Sequence, residues 1–277
     1  MTRIISLISV LVFVVTSLTA QEDRTKVFRD TRIINGHSTE LIPKGTMKFI
    51  ISHRFGKLNS GFQQLYGLDN STIRMGLDYG IIDQLNIGFG RSSFQKHYDV
   101  YLKYRILQQK NNGKSPLSLV YYTNASVRTL INSQTENLTF TNNLAYVHQL
   151  LIARKFNDFF SLQLSPSFVH RNYVLDETSK NDVYSLGAAG RFQLTKVIAV
   201  NLEYYYLLPD QLMDNIQSSA GLGVEFETKG HIFQFNFTNS LGLIAPLYIA
   251  ETEGVIEKGD IHFGFNITRD FKVGPRK

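Results

Sequence analysis

The chain contains no cysteine and no tryptophan among its 277 residues, only 6 prolines, and no long apolar run beyond its first 20 residues. Without cysteine there are no disulfide staples, thiolate zinc sites, iron-sulfur clusters or cysteine nucleophiles, and no lipid-bearing N-terminal cysteine. A clustered basic face is missing as well. The 29 basic and 23 acidic residues are scattered along the chain, so the net charge of +6 does not point to nucleic acid. Seven histidines are spread without metal-ligand spacing. No cofactor and no metal are expected. What is present is 43% hydrophobic residue content, evenly distributed, which excludes disorder for most of the chain and leaves ample material for a core.

Met1-Thr2-Arg3 forms a positive start, Ile4 to Val15 an apolar stretch, and Ser17-Leu18-Thr19-Ala20 a small-residue exit. This is the layout of a secretory signal, residues 1–20, cut after Ala20. A membrane anchor is the weaker reading, because a spanning helix needs about 20 apolar residues. From about Gly45 onward the pattern has period two. Ile73, Met75, Leu77 and Tyr79 interleave with Thr72, Arg74, Gly76 and Asp78; Leu222, Val224 and Phe226 interleave with Gly221, Gly223 and Glu225. Ile261, Phe263, Phe265 and Ile267 face away from His262, Gly264 and Asn266. About twelve such strands can be counted, most near the ten-residue length of membrane-spanning strands.

Alternation alone also fits a soluble sandwich or barrel, so the polar face must decide. That face is dominated by Gly, Ser, Asn, Thr and Gln, where a soluble barrel would show water Lys and Glu. The opposite face is Leu, Ile, Val, Phe and Tyr on nearly every strand, as lipid contact demands. Short links such as Gly80 to Gln84, Lys155 to Asp158 and Lys229 to Gly230 alternate with longer ones such as Phe55 to Asn70 and Ser240 to Gly259. The expectation is an all-β chain: a single antiparallel transmembrane β-barrel of about 12 strands over residues 45–277, in the bacterial outer membrane, with both termini periplasmic. Residues 21–44 form a periplasmic N-terminal segment, a tail or a small lumen plug, through which a periplasmic partner would be met. Tyr79, Tyr104, Tyr121, Tyr173 and Tyr206 fall near strand ends, where the interfacial belt sits.

Thr31 to Ser38, Ile51-Ser52-His53-Arg54-Phe55-Gly56, Gly76-Leu77-Asp78-Tyr79-Gly80, Leu150 to Phe156 and Gly259 to Ile267 occur in this order. In these blocks the chain resembles a family of β-barrel proteins of Bacteroidota grouped as a domain of unknown function. The resemblance covers nearly all of the chain beyond the signal. It implies an outer-membrane barrel and carries over no catalytic residue.

Chemical motifs are sparse. Ser52 and His53 are adjacent and point to opposite faces, which rules out the outward serine-histidine pair of a barrel phospholipase. Asp176, Glu177, Asp182, His97 and Asp99 fall in or beside outer loops and read as solvated charge. Glu251, Glu253, Glu257 and Asp260 have the ligand chemistry of a hard-cation site, but a solvated face is the simpler reading. No enzyme is expected. On the inward register stand Lys48, Arg54, Arg74, Lys103, Arg105, Arg128, Arg171 and Arg191 against Asp78, Glu203, Glu225 and Glu227. Eight bases against four acids describe a weakly cationic lumen. The leading functional expectation is a narrow pore or solute-binding channel whose partners are outer-membrane lipid and small polar or anionic solutes. Two alternatives stand beside it: a non-conducting anchor with partner-binding loops, in which these charges pair across and plug the bore, and a rim-located hydrolase.

Overall fold

The computed structural model describes residues 24–111, 113–131, 136–174 and 178–273. Residues 1–20, read as a signal, lie outside them. Twelve strands form the wall: β1 (Thr46–Lys57), β2 (Ser71–Ile82), β3 (Leu85–Ser92), β4 (His97–Leu107), β5 (Ser118–Arg128) and β6 (Leu144–Lys155). They continue with β7 (Phe160–Arg171), β8 (Asp182–Gln193), β9 (Ile198–Leu207), β10 (Ser219–Thr228), β11 (His231–Thr238) and β12 (His262–Lys272). Each strand pairs antiparallel with its sequence neighbours, and β1 pairs with β12 through Met47↔Phe271 and Ser52↔Asn266, so the barrel is closed and has no open edge. Connections of two to ten residues join the strands at the end holding both described termini, the turn end. The longest connections, including residues 239–261, lie at the other, the loop end.

The period-two pattern maps directly onto the two faces. Leu77, Phe89, Val100, Leu164, Leu202, Leu222 and Phe235 stand on the outer surface and are 41 to 54% exposed. Such a continuous apolar surface requires lipid. Arg154 stacks on Phe156 and Arg269 on Phe271 at the turn end, and Arg91 on Tyr98 at the loop end. These pairs frame the apolar belt with rings and cations suited to headgroup depth. Tyr79, Tyr104, Tyr121 and Tyr206 are outward, whereas Tyr173 lies in a loop.

The interior differs from a hydrated lumen. Residues 24–44, read from the sequence as a periplasmic segment, enter the bore at the turn end, turn back at Ile33 to Gly36 and return to β1. Arg32 and His37 form an antiparallel bridge, and the Ile33 N–H donates to the Gly36 carbonyl at 2.9 Å. From the loop end comes a short helix, α1 (Ala245–Ala250), whose six residues are all buried. Pro246 starts it with a preset φ, but six residues are far too few for a helix to hold on propensity alone. Packing holds it. Tyr248, Ile249 and Ala250 lie against inward-facing Val120, Val147, Leu151, Val169 and Val183 in one apolar cluster. Burying side chains of this size contributes about 1.5 to 3 kcal/mol each.

Candidate functional site: a filled bore and an open vestibule

The wall side chains that the sequence places inward serve first as hydrogen-bond partners for the backbone of the hairpin. A segment with no strand neighbour must satisfy its N–H and C=O groups elsewhere. Asn86 does so like a strand, accepting from the Ile42 N–H at 2.8 Å and donating to the Ile42 carbonyl at 3.0 Å. Gln163 donates to the His37 carbonyl, Asn266 to that of Ile34 and Gln234 to that of Arg32, at 2.8, 3.0 and 3.2 Å. The Lys103 ammonium donates to the Glu40 carbonyl at 2.5 Å. At the tip, the Glu203 carboxylate accepts from the backbone N–H groups of Ile34, Asn35 and Gly36 at 3.0 to 3.3 Å. Three converging N–H groups form a small anion-binding concavity. Arg54 holds the Asn35 side-chain oxygen at 2.8 Å.

Charged pairs complete the packing. Arg74 grips Asp99 through two bonds of 2.8 and 2.6 Å, both side chains almost fully buried. Arg191 reaches Glu225 at 3.0 Å. Lys48 binds Asp30 of the hairpin and, at 3.1 Å, Asp270, while Thr268 donates to the second Asp30 oxygen at 2.7 Å. Arg29 pairs with Glu227 at the turn end. The inward glycines make room for these large groups. A methyl on Gly88 would overlap the Tyr101 ring, which lies flat across it beside Asp78. His37 packs between Tyr101 and Tyr122, with ring centroids 4.5 and 4.3 Å away.

The twelve residues expected on the inward register separate by depth. Lys48, Arg54, Arg74, Asp78, Lys103, Arg191, Glu203 and Glu225 are buried around the hairpin. Arg105 and Glu227 lie at the turn end, where Arg105 donates to the Asp83 carbonyl at 3.0 Å. Arg128 and Arg171 lie at the loop end. The eight in the middle face hairpin and neighbouring side chains where a solute was expected. Asp99 and His97, read as loop residues, belong to β4 and point inward. Asp99 shares parity with Tyr101 and Lys103, a signal available in the sequence. Asp176 and Glu177 lie outside the described residues. Asp182 pairs with His170 at 2.5 Å on the outer face, with parity opposite to Arg171. Among the described residues no group of three His, Asp or Glu converges as a metal site.

Above α1 a cavity of about 410 Å³ opens at the loop end. Arg128, Arg171, Gln95, Glu251 and Tyr173 line it together with Met213, Ile216, Leu241 and Ala250. Gln95 donates to Glu251 at 3.1 Å. Lys57, also on its wall, is engaged by Asp260 at 2.9 Å.

No curated protein matches the chain in sequence. Among solved structures, a KdgM porin in complex with disordered oligogalacturonate is similar at 9% identity and a TM-score of 0.50, covering 82% of this chain and 99% of that one. A NanC porin is similar at 8% identity and a TM-score of 0.49, with the same coverage. At these identities the likeness is one of fold. The family model described as membrane bound beta barrel domain (DUF5777) matches residues 28–271, most of the hairpin included, and the chain belongs to that family.

Proposed function

We propose that this member of the membrane-bound β-barrel family is an outer-membrane protein, exported by a signal at residues 1–20, that binds small polar or anionic solutes at its loop end and keeps its bore shut with its own N-terminal hairpin. The observation that carries this reading is the double filling of the bore, by residues 24–44 from the turn end and α1 from the loop end. Both ends of the hairpin lie at the turn end, so it can be withdrawn in that direction without threading through the wall. A porin-like fold in a solved neighbour supports a channel architecture, and the filled bore supports a closed resting state.

Each hairpin bond contributes about 1 kcal/mol net, so no single wall residue holds the hairpin and deletion is the decisive perturbation. In planar bilayers the purified protein is expected to give no steady conductance, and deletion of residues 26–40 to give stepwise conductance. Anion preference is expected of the opened form, because bases still outnumber acids on the inward register. Steady conductance by the intact chain would refute the closed reading. A folded deletion variant that stays silent would instead favour the anchor, a reading that the core-like packing of α1 supports.

A further inference from the structure

The geometry points to a built site for one carboxylate on a small polyhydroxylated acid in the loop-end vestibule, held by Arg128 and Arg171. The site deepens the reading of the protein as a solute binder and does not depend on whether the bore ever opens. Arg128 ends β5 and Arg171 ends β7, two strands apart on the same inward parity. The register links Ser126 and Arg171 to the same residue of β6, Ala145, which puts Arg128 one inward position above Arg171 along the wall. Both side chains line the 410 Å³ cavity, a volume within the range of small-molecule sites.

What distinguishes these two arginines from Arg74 and Arg191 is their partners. Arg74 and Arg191 hold carboxylates directly. Among the described residues, Arg128 has only the neutral side-chain oxygen of Asn143 at 3.3 Å, and Arg171 only the Lys180 carbonyl at 2.9 Å. The Arg171 Nε is buried and has no partner among them. Glu251 is the nearest acid acting on Arg171, and Gln95 already occupies one of its oxygens. Glu253 also lines the cavity, but no described carboxylate is bonded to either guanidinium, which leaves N–H groups of both open to the cavity among the described residues. A guanidinium fork matches a carboxylate bidentately. The rest of the lining adds the Tyr173 phenol for a hydroxyl and apolar Met213 and Ile216 for carbon faces. Fork geometry and lining together select a hydroxylated monocarboxylate over a bare inorganic anion or a neutral polyol.

The test uses the full-length protein in detergent, with D-gluconate as the probe, sorbitol as its uncharged counterpart and inorganic phosphate as the simple anion, read by calorimetry. Saturable gluconate binding is expected, with sorbitol and phosphate at least tenfold weaker. Arg128→Gln and Arg171→Gln should each weaken gluconate at least tenfold, while Glu251→Gln should tighten it by removing the competing internal carboxylate. Retained heat-modifiable migration shows that each variant is folded. Equal binding of phosphate would reduce the site to a generic anion patch. Absence of gluconate saturation, or Arg variants that bind as the parent does, would overturn the proposal while leaving the conductance result for the closed bore untouched.

Discussion

Arg74 and Asp99 show what an interior charge does in this barrel. Their side chains are 0 and 1% exposed, and the two bonds between them use the guanidinium Nε and one terminal nitrogen. A pair this deep adds little over a well-packed apolar pair, because desolvating both charges offsets most of their attraction. Removing one partner is another matter. Asp99→Ala strips a buried guanidinium of its bonded counter-charge and is expected to lower stability by about 3 to 5 kcal/mol. The double change Arg74→Leu with Asp99→Leu should cost markedly less than the single one. Urea unfolding followed by loss of the compact gel band measures both, and a double variant less stable than Asp99→Ala would contradict this account.

Between elements, the β1–β2 loop is tied to the β11–β12 loop through Asp260. The Asn59 side chain donates to the Asp260 carboxylate at 2.7 Å, Lys57 meets its other oxygen at 2.9 Å, and the Val255 N–H adds a third bond. The Asn59 bond first, then Lys57 and the backbone, hold the carboxyl down at about 2, below its ordinary 3.8. A depressed carboxyl stabilises its folded contacts fully above the ordinary value and loses that contribution as pH falls through the depressed one. The tie should therefore be intact at pH 5 and released between about pH 4 and 2. The side-chain amide resonance of Asn59 in micelles reports it, and Asp260→Asn should abolish the pH response. Elements of this kind also mark the limit of what the sequence reveals. Strand parity was legible because lipid on one side and a crowded interior on the other impose a strict two-residue period. The placement of α1 was not, since Leu243 to Ala250 reads as an apolar run inside a long loop, with no partner until Val147, Leu151, Val169 and Val183 are seen to line one side of the bore. The hairpin was ambiguous for a related reason: its polar composition suits water as well as a wall of Asn, Gln, Glu and Lys side chains. The charge excess was readable, but its pairing with Asp30 and Asp99 depended on contacts distant in sequence.

At the scale of the molecule, the two ends are unlike. The turn end carries both described termini and connections as short as Lys229 to Gly230, and the loop end carries the vestibule and the 23-residue link from β11 to β12. A barrel inserted from the periplasm leaves its short turns behind and passes its longer loops across the bilayer. This fixes an expected orientation, with Lys229 periplasmic and Glu257 on the cell surface. The absence of cysteine makes the orientation directly measurable, since any introduced thiol is unique. Both residues are exposed in connections, away from the vestibule arginines, so single cysteines there should leave the fold intact. On intact cells a membrane-impermeant maleimide is expected to label Glu257→Cys and to spare Lys229→Cys until the outer membrane is permeabilised. Leu222→Cys, in the apolar belt, should react with a lipid-soluble reagent and resist the impermeant one in both conditions. Labelling of Lys229→Cys alone on intact cells would invert the barrel. Rapid labelling of Leu222→Cys by the impermeant reagent would mean that the belt faces water, and the membrane reading would fail with it.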